Sequence, residues 1–139
     1  MSASEPKLFY IGVKALIKRD GKILVLKRAK KDEIYWDLPG GRINNNETQI
    51  EALKRELVEE IPSIQEIEIK KIVSSCNFNK DLIGGGLFFL FYDVSANTVQ
   101  VLLGNEHSQH KWIDQKDLDS IKKDMFSGYY DAIKASLLK

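Results

Sequence analysis

Three carboxylates in the segment RELVEE, those of Glu56, Glu59 and Glu60, stand at i, i+3 and i+4. On a helix those positions are neighbours, and like charges so placed repel by about 0.2–0.5 kcal/mol per pair. Crowded carboxylates are costly unless a cation neutralises them. Oxygen donors from several carboxylates are what Mg²⁺ or Mn²⁺ prefers, so the chemistry these residues suggest is that of a divalent-cation site.

The element that must carry them is a helix. Thr48 and Glu51 form a Thr-x-x-Glu capping box, which sets the start near Thr48 and predicts a helix over about residues 48–61. At about 100° per residue, Ile50, Leu53, Leu57 and Ile61 fall within roughly 80° and form the expected core-facing stripe. On the same wheel Glu60 lies about 20° from Leu53, Glu56 about 60° and Glu59 about 120°. Glu60 and Glu56 therefore border the apolar stripe, where a solvated acidic face would lie opposite it.

The surrounding spacing is more specific than the acidic cluster. Gly41 is followed after five residues by Glu47, after seven more by Arg55-Glu56-Leu57, and then by Glu59-Glu60. This resembles the Nudix box, G-x5-E-x7-R-E-U-x-E-E-x-G-U with U a bulky apolar residue, of hydrolases that act on nucleoside diphosphates linked to another moiety. The motif covers Gly41 to Ser63, and the preceding KILVLKRAKKDEIYWDLPGG is similar to the family's strand–loop–strand approach. Two positions depart from it. Pro62 replaces the second glycine and Ser63 the final apolar residue. Proline cannot adopt φ > 0 and disfavours the α region for Ile61, so the helix should end at or just after Glu60. Asn46 stands where many members have glycine, and asparagine tolerates positive φ.

The resemblance implies a set of roles. Glu56, Glu59 and Glu60 would bind Mg²⁺ or Mn²⁺, with Gly40 and Gly41 letting backbone approach the metal or the phosphates. Arg55 would hold the carboxylates in place, pairing with Glu47 across the loop. The reaction implied is metal-dependent hydrolysis of a pyrophosphate link, with Glu59, Glu60 and Arg55 in the catalytic set. A further base or ligand is suggested by Glu106, because GNEHSQHKW is similar to the family's E-H-x-x-x-x-W segment. His107 and His110 read as exposed bystanders in a polar loop. Lys27 and Arg28, with Lys30 and Lys31, form a basic stretch open to two readings, a solvated loop or phosphate contact. Trp36 offers a stacking face for a nucleobase or, equally, a core residue.

Substrate is less legible. The family's marker for ADP-ribose, a proline about sixteen residues past the box, is missing, as is the tyrosine about seventeen or eighteen past it for dinucleoside polyphosphates. Asn79, Lys80 and Asp81 stand there instead, and no SQPWPFP segment for NADH occurs. The default is a (deoxy)nucleoside triphosphate or similar small nucleotide. Removal of pyrophosphate from RNA 5′ ends is an alternative, as is a non-catalytic Nudix-fold domain that binds a nucleotide or a partner.

The remaining chain sets the frame. Its 139 residues fit one domain, residues 1–139, without disulfide or structural metal. A net charge of +1 advertises neither DNA nor an anionic membrane. The single Cys76 suggests a reducing, cytoplasmic setting, and MSASEPK lacks the apolar core of a secretion signal. A homodimer is compatible with all of this. LFYIGVKALIK and KILVLKR read as strands joined by a hairpin at Asp20-Gly21. Trp36–Leu38, EIEIKKIVSSC, GLFFLFYDV, a weaker NTVQVLL and HKWID read as further strands, and FSGYYDAIKASLLK as a terminal amphipathic helix with Tyr129, Ile133 and Leu137 on one face. Strands that flank one central helix argue for an α+β fold. The resemblance makes it a Nudix-type α/β/α sandwich with a mixed central sheet.

Overall fold

The computed structural model describes residues 5–28, 35–78, 84–97 and 100–138. Strands β1 (Phe9–Arg19) and β2 (Lys22–Arg28) are joined by the Asp20-Gly21 turn, with φ of 53° and 76° at those two residues. Positive φ at both central positions gives the turn twist that suits a hairpin. Two short strands follow, β3 (Trp36–Asp37) and β4 (Gly40–Arg42), and then helix α1 (Gln49–Glu60). Strands β5 (Gln65–Phe78), β6 (Gly86–Asn97) and β7 (His107–Ile113) precede helices α2 (Gln115–Ser120) and α3 (Ser127–Leu137).

The sheet runs β3-β2-β1-β6-β5, with β4 added to β1 and β7 to β2. Its β1–β6 pairing is parallel and the others antiparallel, so the sheet is mixed. Strand β1 is buried on both faces. Val13, Ala15 and Ile17 pack with Leu53 and Leu57 of α1, while Leu16 packs on the other side with Tyr129 and Ile133 of α3. That is the expected α/β/α sandwich, and it explains why β1 reads as an almost continuous apolar run.

Helix α1 keeps its predicted limits. Thr48 and Glu51 make the reciprocal cap. At the other end Ile61 leaves the helix at φ −130°, as its neighbour Pro62 requires, while its N–H still reaches Leu57 O at 2.9 Å. Asn46 takes φ of 65°. The core stripe differs from expectation. The buried residues of α1 are Ala52, Leu53, Leu57 and Glu60, whereas Ile50 is 36% exposed. Glu60 lies near the centre of that buried arc, and Ile50 about 80° from it at the helix start.

Three other expectations change. NTVQVLL is not a third strand in its described part. Val101–Leu103 has no regular structure, because Ser63 Oγ donates to Gln100 O (2.7 Å) and accepts from Leu102 N (2.9 Å) where a neighbouring strand would otherwise pair. Thr98 and Val99 lie outside the described residues. Gly40–Gly41, past the expected strand Trp36–Leu38, forms most of a further strand β4, paired with Val13 and Lys14. The last strand starts at His107, three residues before HKWID. Among the described residues no helix is long and apolar enough to cross a membrane.

Candidate functional site

A cleft of about 500 Å³ opens beside the C-terminal half of α1. Glu56, Glu59 and Glu60 line it from the helix, Glu106 from the turn before β7, and Gly40 and Gly41 from β4. Facing them are Lys14, Arg28 and Asp37, with Phe89 and Tyr129 as aromatic wall. Lys27 and Trp36, both expected near substrate, do not line the cleft. They pair with each other across β2 and β3, and Trp36 packs against the core on the α3 side. Lys30 and Lys31 lie outside the described residues, as do Asn79, Lys80 and Asp81.

Backbone geometry brings β4 against the helix. Gly40 has φ of 135°, and a Cβ there would overlap Val13 O of β1, so only glycine lets the two strands meet. A Cβ on Gly41 would overlap the Glu56 carboxylate. The Gly40 N–H donates to Glu60 Oε1 at 2.7 Å.

Arg55 organises the rest of the cluster. It grips Glu47 through Nε (2.6 Å) and Nη2 (3.1 Å), donates from Nη1 to Glu56 (2.9 Å), and lies 3.5 Å from Glu59. Nη2 also reaches Arg42 O at 3.2 Å. The hydrogen bonds from Arg55 hold the Glu47 carboxyl below its ordinary value. With Glu56 and Glu59 turned toward Arg55 and Glu60 toward Gly40, no three acidic, His or Cys side chains converge on one point among the described residues. Burial pushes Glu60 up to about 8, only partly opposed by Lys14 and by the Gly40 N–H. Glu106 is exposed, and its loop is tied to the helix end by Gly104 N donating to Glu60 O at 2.9 Å.

Sequence reading missed a buried polar group on the opposite wall. Lys14 of β1 is 6% exposed and pairs with Asp37 at 3.1 Å. Asp37 also contacts Arg28 Nη1 (3.8 Å) and His107 Nε2 (3.4 Å). His107 is therefore not the exposed bystander expected. It is 4% exposed, turned inward at the first position of β7, while His110 stays exposed. The available signals were a lysine inside an apolar strand and an aspartate between Trp36 and Leu38.

Burial alone would raise Asp37, but the Lys14 charge and the hydrogen bonds from His107 and Lys14 overcome it and hold its carboxyl at about 2. A depressed carboxyl contributes stability that is complete above its unfolded value of 3.8 and is lost as pH falls through about 2. Asp37→Asn should therefore cost about 3–5 kcal/mol at pH 7, because it strands a buried ammonium. Urea unfolding at pH 7 and pH 3 checks this: the gap between parent and variant should narrow in acid, and a gap independent of pH refutes the pairing as its source.

The chain matches the NUDIX domain over residues 9–135. It is 47% identical over 51 residues to the CTP pyrophosphohydrolase of Escherichia coli (strain K12), a match spanning 35% of this chain and only 38% of that protein's length. The RNA pyrophosphohydrolase of Pelagibacter ubique (strain HTCC1062) is 25% identical over 134 residues, covering 86% of this chain and 84% of that one. Among solved structures, the MutT protein from Methanosarcina mazei Go1 superposes with a TM-score of 0.78 at 25% identity, covering 95% of each chain. With the family pattern running through nearly the whole sheet and both larger helices, the chain belongs to the Nudix family of hydrolases acting on pyrophosphate bonds.

Proposed function

We propose that the chain hydrolyses the pyrophosphate link of a small nucleotide, foremost a (deoxy)nucleoside triphosphate, with the help of Mg²⁺ or Mn²⁺. The observation that carries this reading is that Glu56, Glu59, Glu60 and Glu106 share one cleft with the Gly40–Gly41 backbone. The donor set fits such a cation. All four side chains offer hard oxygen atoms, and Mg²⁺ keeps several waters, so one or two protein carboxylates suffice without three converging. A buried carboxyl raised to about 8 is mostly protonated at neutral pH in the metal-free protein and ionises more readily with a divalent cation beside it, which suits Glu60 to that duty. When bound, the cation supplies charge against the pyrophosphate oxygens and acidifies a coordinated water.

The chain's own residues do the remaining work in this proposal. Arg55, fixed by Glu47, restrains Glu56 and leaves the more exposed Glu59 able to turn into the cleft. Arg28 stands on the opposite wall, where a guanidinium meets phosphate oxygens in a fork. Glu106, which lines the same cleft from a turn outside the helix, takes the role of a base for the attacking water or of an added ligand in this proposal. Lys27 and Trp36 do not line the cleft, so they are assigned no substrate contact. The lone Cys76, a free thiol, suits a reducing, cytoplasmic setting.

A CTP pyrophosphohydrolase and an RNA pyrophosphohydrolase among the relatives make nucleoside triphosphates and RNA 5′ ends the substrates to separate first. The test is a phosphate- and pyrophosphate-release screen of the common ribo- and deoxyribonucleoside triphosphates and a 5′-triphosphorylated RNA, each with Mg²⁺ and with Mn²⁺. Release from at least one free nucleotide supports the proposal. Turnover of the RNA alone moves the substrate to RNA ends, and no metal-dependent release from any of them overturns the reading.

A further inference from the structure

The least expected charge in the molecule is Lys14, a lysine at the middle of a core strand. An ammonium has three N–H donors, and among the described residues three protein acceptors stand close to it: Asp37 Oδ1 (3.1 Å), Leu38 O (3.1 Å) and Gly40 O (3.3 Å), with the Tyr129 side chain also beside it. A lysine so saturated is poorly placed to serve as a nucleophile or a phosphate ligand. Two of those acceptors belong to the backbone of the 38–41 segment. The same segment is pinned on its other side by Ala15 N donating to Pro39 O at 2.8 Å, and by the pairing of Lys14 with Gly40 across β1 and β4.

That segment bears directly on the carboxylates. The Gly40 N–H donates to Glu60 Oε1 at 2.7 Å, and Gly41 packs on the Glu56 carboxylate, which a side chain there would push aside. We propose that Lys14 is a positioning residue: by drawing the Leu38 and Gly40 carbonyls inward it turns the Gly40 N–H toward Glu60, and so sets the affinity of the carboxylate cluster for a divalent cation. The inference rests on the metal-binding role of Glu60 proposed above.

Direct repulsion and geometry predict opposite signs once the Lys14 and Asp37 charges are removed together, because their effects on the Glu60 carboxyl oppose each other. If Lys14 acted only by repelling the cation, the paired removal would leave cation binding unchanged or tighter. If it acts through the loop, removing it weakens binding, since loss of an outer partner of a metal ligand typically costs about 10–100-fold in affinity. Mn²⁺ binding to the metal-stripped full chain, followed by the electron paramagnetic resonance signal of free Mn²⁺, reads the difference without any turnover. Lys14→Met should bind Mn²⁺ at least about tenfold more weakly than the parent.

That variant strands the Asp37 carboxylate and can fail to fold. The double variant Lys14→Met/Asp37→Asn removes both charges, leaves the net charge of the cleft unchanged and should fold, as its circular dichroism and thermal transition will show. It should still bind Mn²⁺ weakly, because the two carbonyls remain without their cation. Parent-like or tighter binding in the folded double variant overturns the role of Lys14. Glu60→Gln separates this from the wider reading. A parent that does not bind Mn²⁺, or that binds it equally well without Glu60, brings down the metal site and this inference together.

Discussion

Glu60→Gln should lower kcat by about two orders of magnitude or more at saturating Mg²⁺, while leaving the fold intact. The substitution keeps the size of the side chain and its carbonyl acceptor for the Gly40 N–H, and removes only the charge. A steady-state assay on the nucleotide found by the release screen measures the loss, and undiminished turnover, in the variant or in excess EDTA, would sink the metal-dependent mechanism. The same substitution should have the opposite effect on stability. Burial raises Glu60 from 4.5 to about 8, so the metal-free folded protein keeps a proton that the unfolded chain gives up. Its contribution to stability is therefore complete below about 4.5 and is lost as pH rises through about 8. In EDTA the parent should lose stability between pH 5 and pH 9 and the amide should not, on the order of a few kcal/mol. A group that destabilises the empty protein and drives turnover in the loaded one is what a site built for a cation requires.

The parts of this site that were legible in sequence share one property: they are local. Helix α1 is fixed by a capping box four residues long and by a proline two residues past its end, and both operate through the backbone next to them. The box carboxylates sit on that one helix, so spacing alone brings them together. Even there the wheel misplaced the core, taking Ile50 as buried and Glu60 as marginal. An apolar stripe locates the hydrophobic face, but β4 covers the acidic side of the same helix, and nothing near α1 in sequence announces that cover.

What was not legible depends on distance. Lys14 meets Asp37 across 23 positions, and Asp37 meets His107 across 70. A lysine in a strand reads as an outward-facing residue at one alternation, and a histidine in GNEHSQH reads as solvated, until the sheet order puts β1 beside β4 and β7 beside β2. Strand β4 was hidden for a different reason. Pro-Gly-Gly signals a turn by local propensity, yet the same absence of side chains permits the close approach of two strands beside a carboxylate. Helix α2, only six residues long, carries too little periodicity to be told from a loop, although Asp114 and Asp117 form a capping box for it.

Glu106 is where local pattern and long-range placement must be tested against each other. The residue is exposed at a turn, and its loop is anchored on the end of α1 by Gly104 and, further upstream, by the Ser63 hydroxyl on Gln100 and Leu102. A second cavity of about 210 Å³ lies between that turn and Glu59 and Glu60, and Glu106 lines both this cavity and the main cleft. If Glu106 takes the proton from the attacking water, Glu106→Gln should lower kcat by about 10²–10⁴ and leave KM little changed, since a general base acts on the reacting atoms and not on ground-state binding. Mn²⁺ affinity supplies the sharper criterion, and it should be unchanged in the variant if Glu106 is a base. Loss of Mn²⁺ affinity in the same variant would instead assign Glu106 to the metal, leaving the base among the carboxylates of α1 and Glu47. A variant that matches the parent in kcat and Mn²⁺ affinity would return Glu106 to the surface, and the cation ligands and the base would then both have to come from α1 and Glu47.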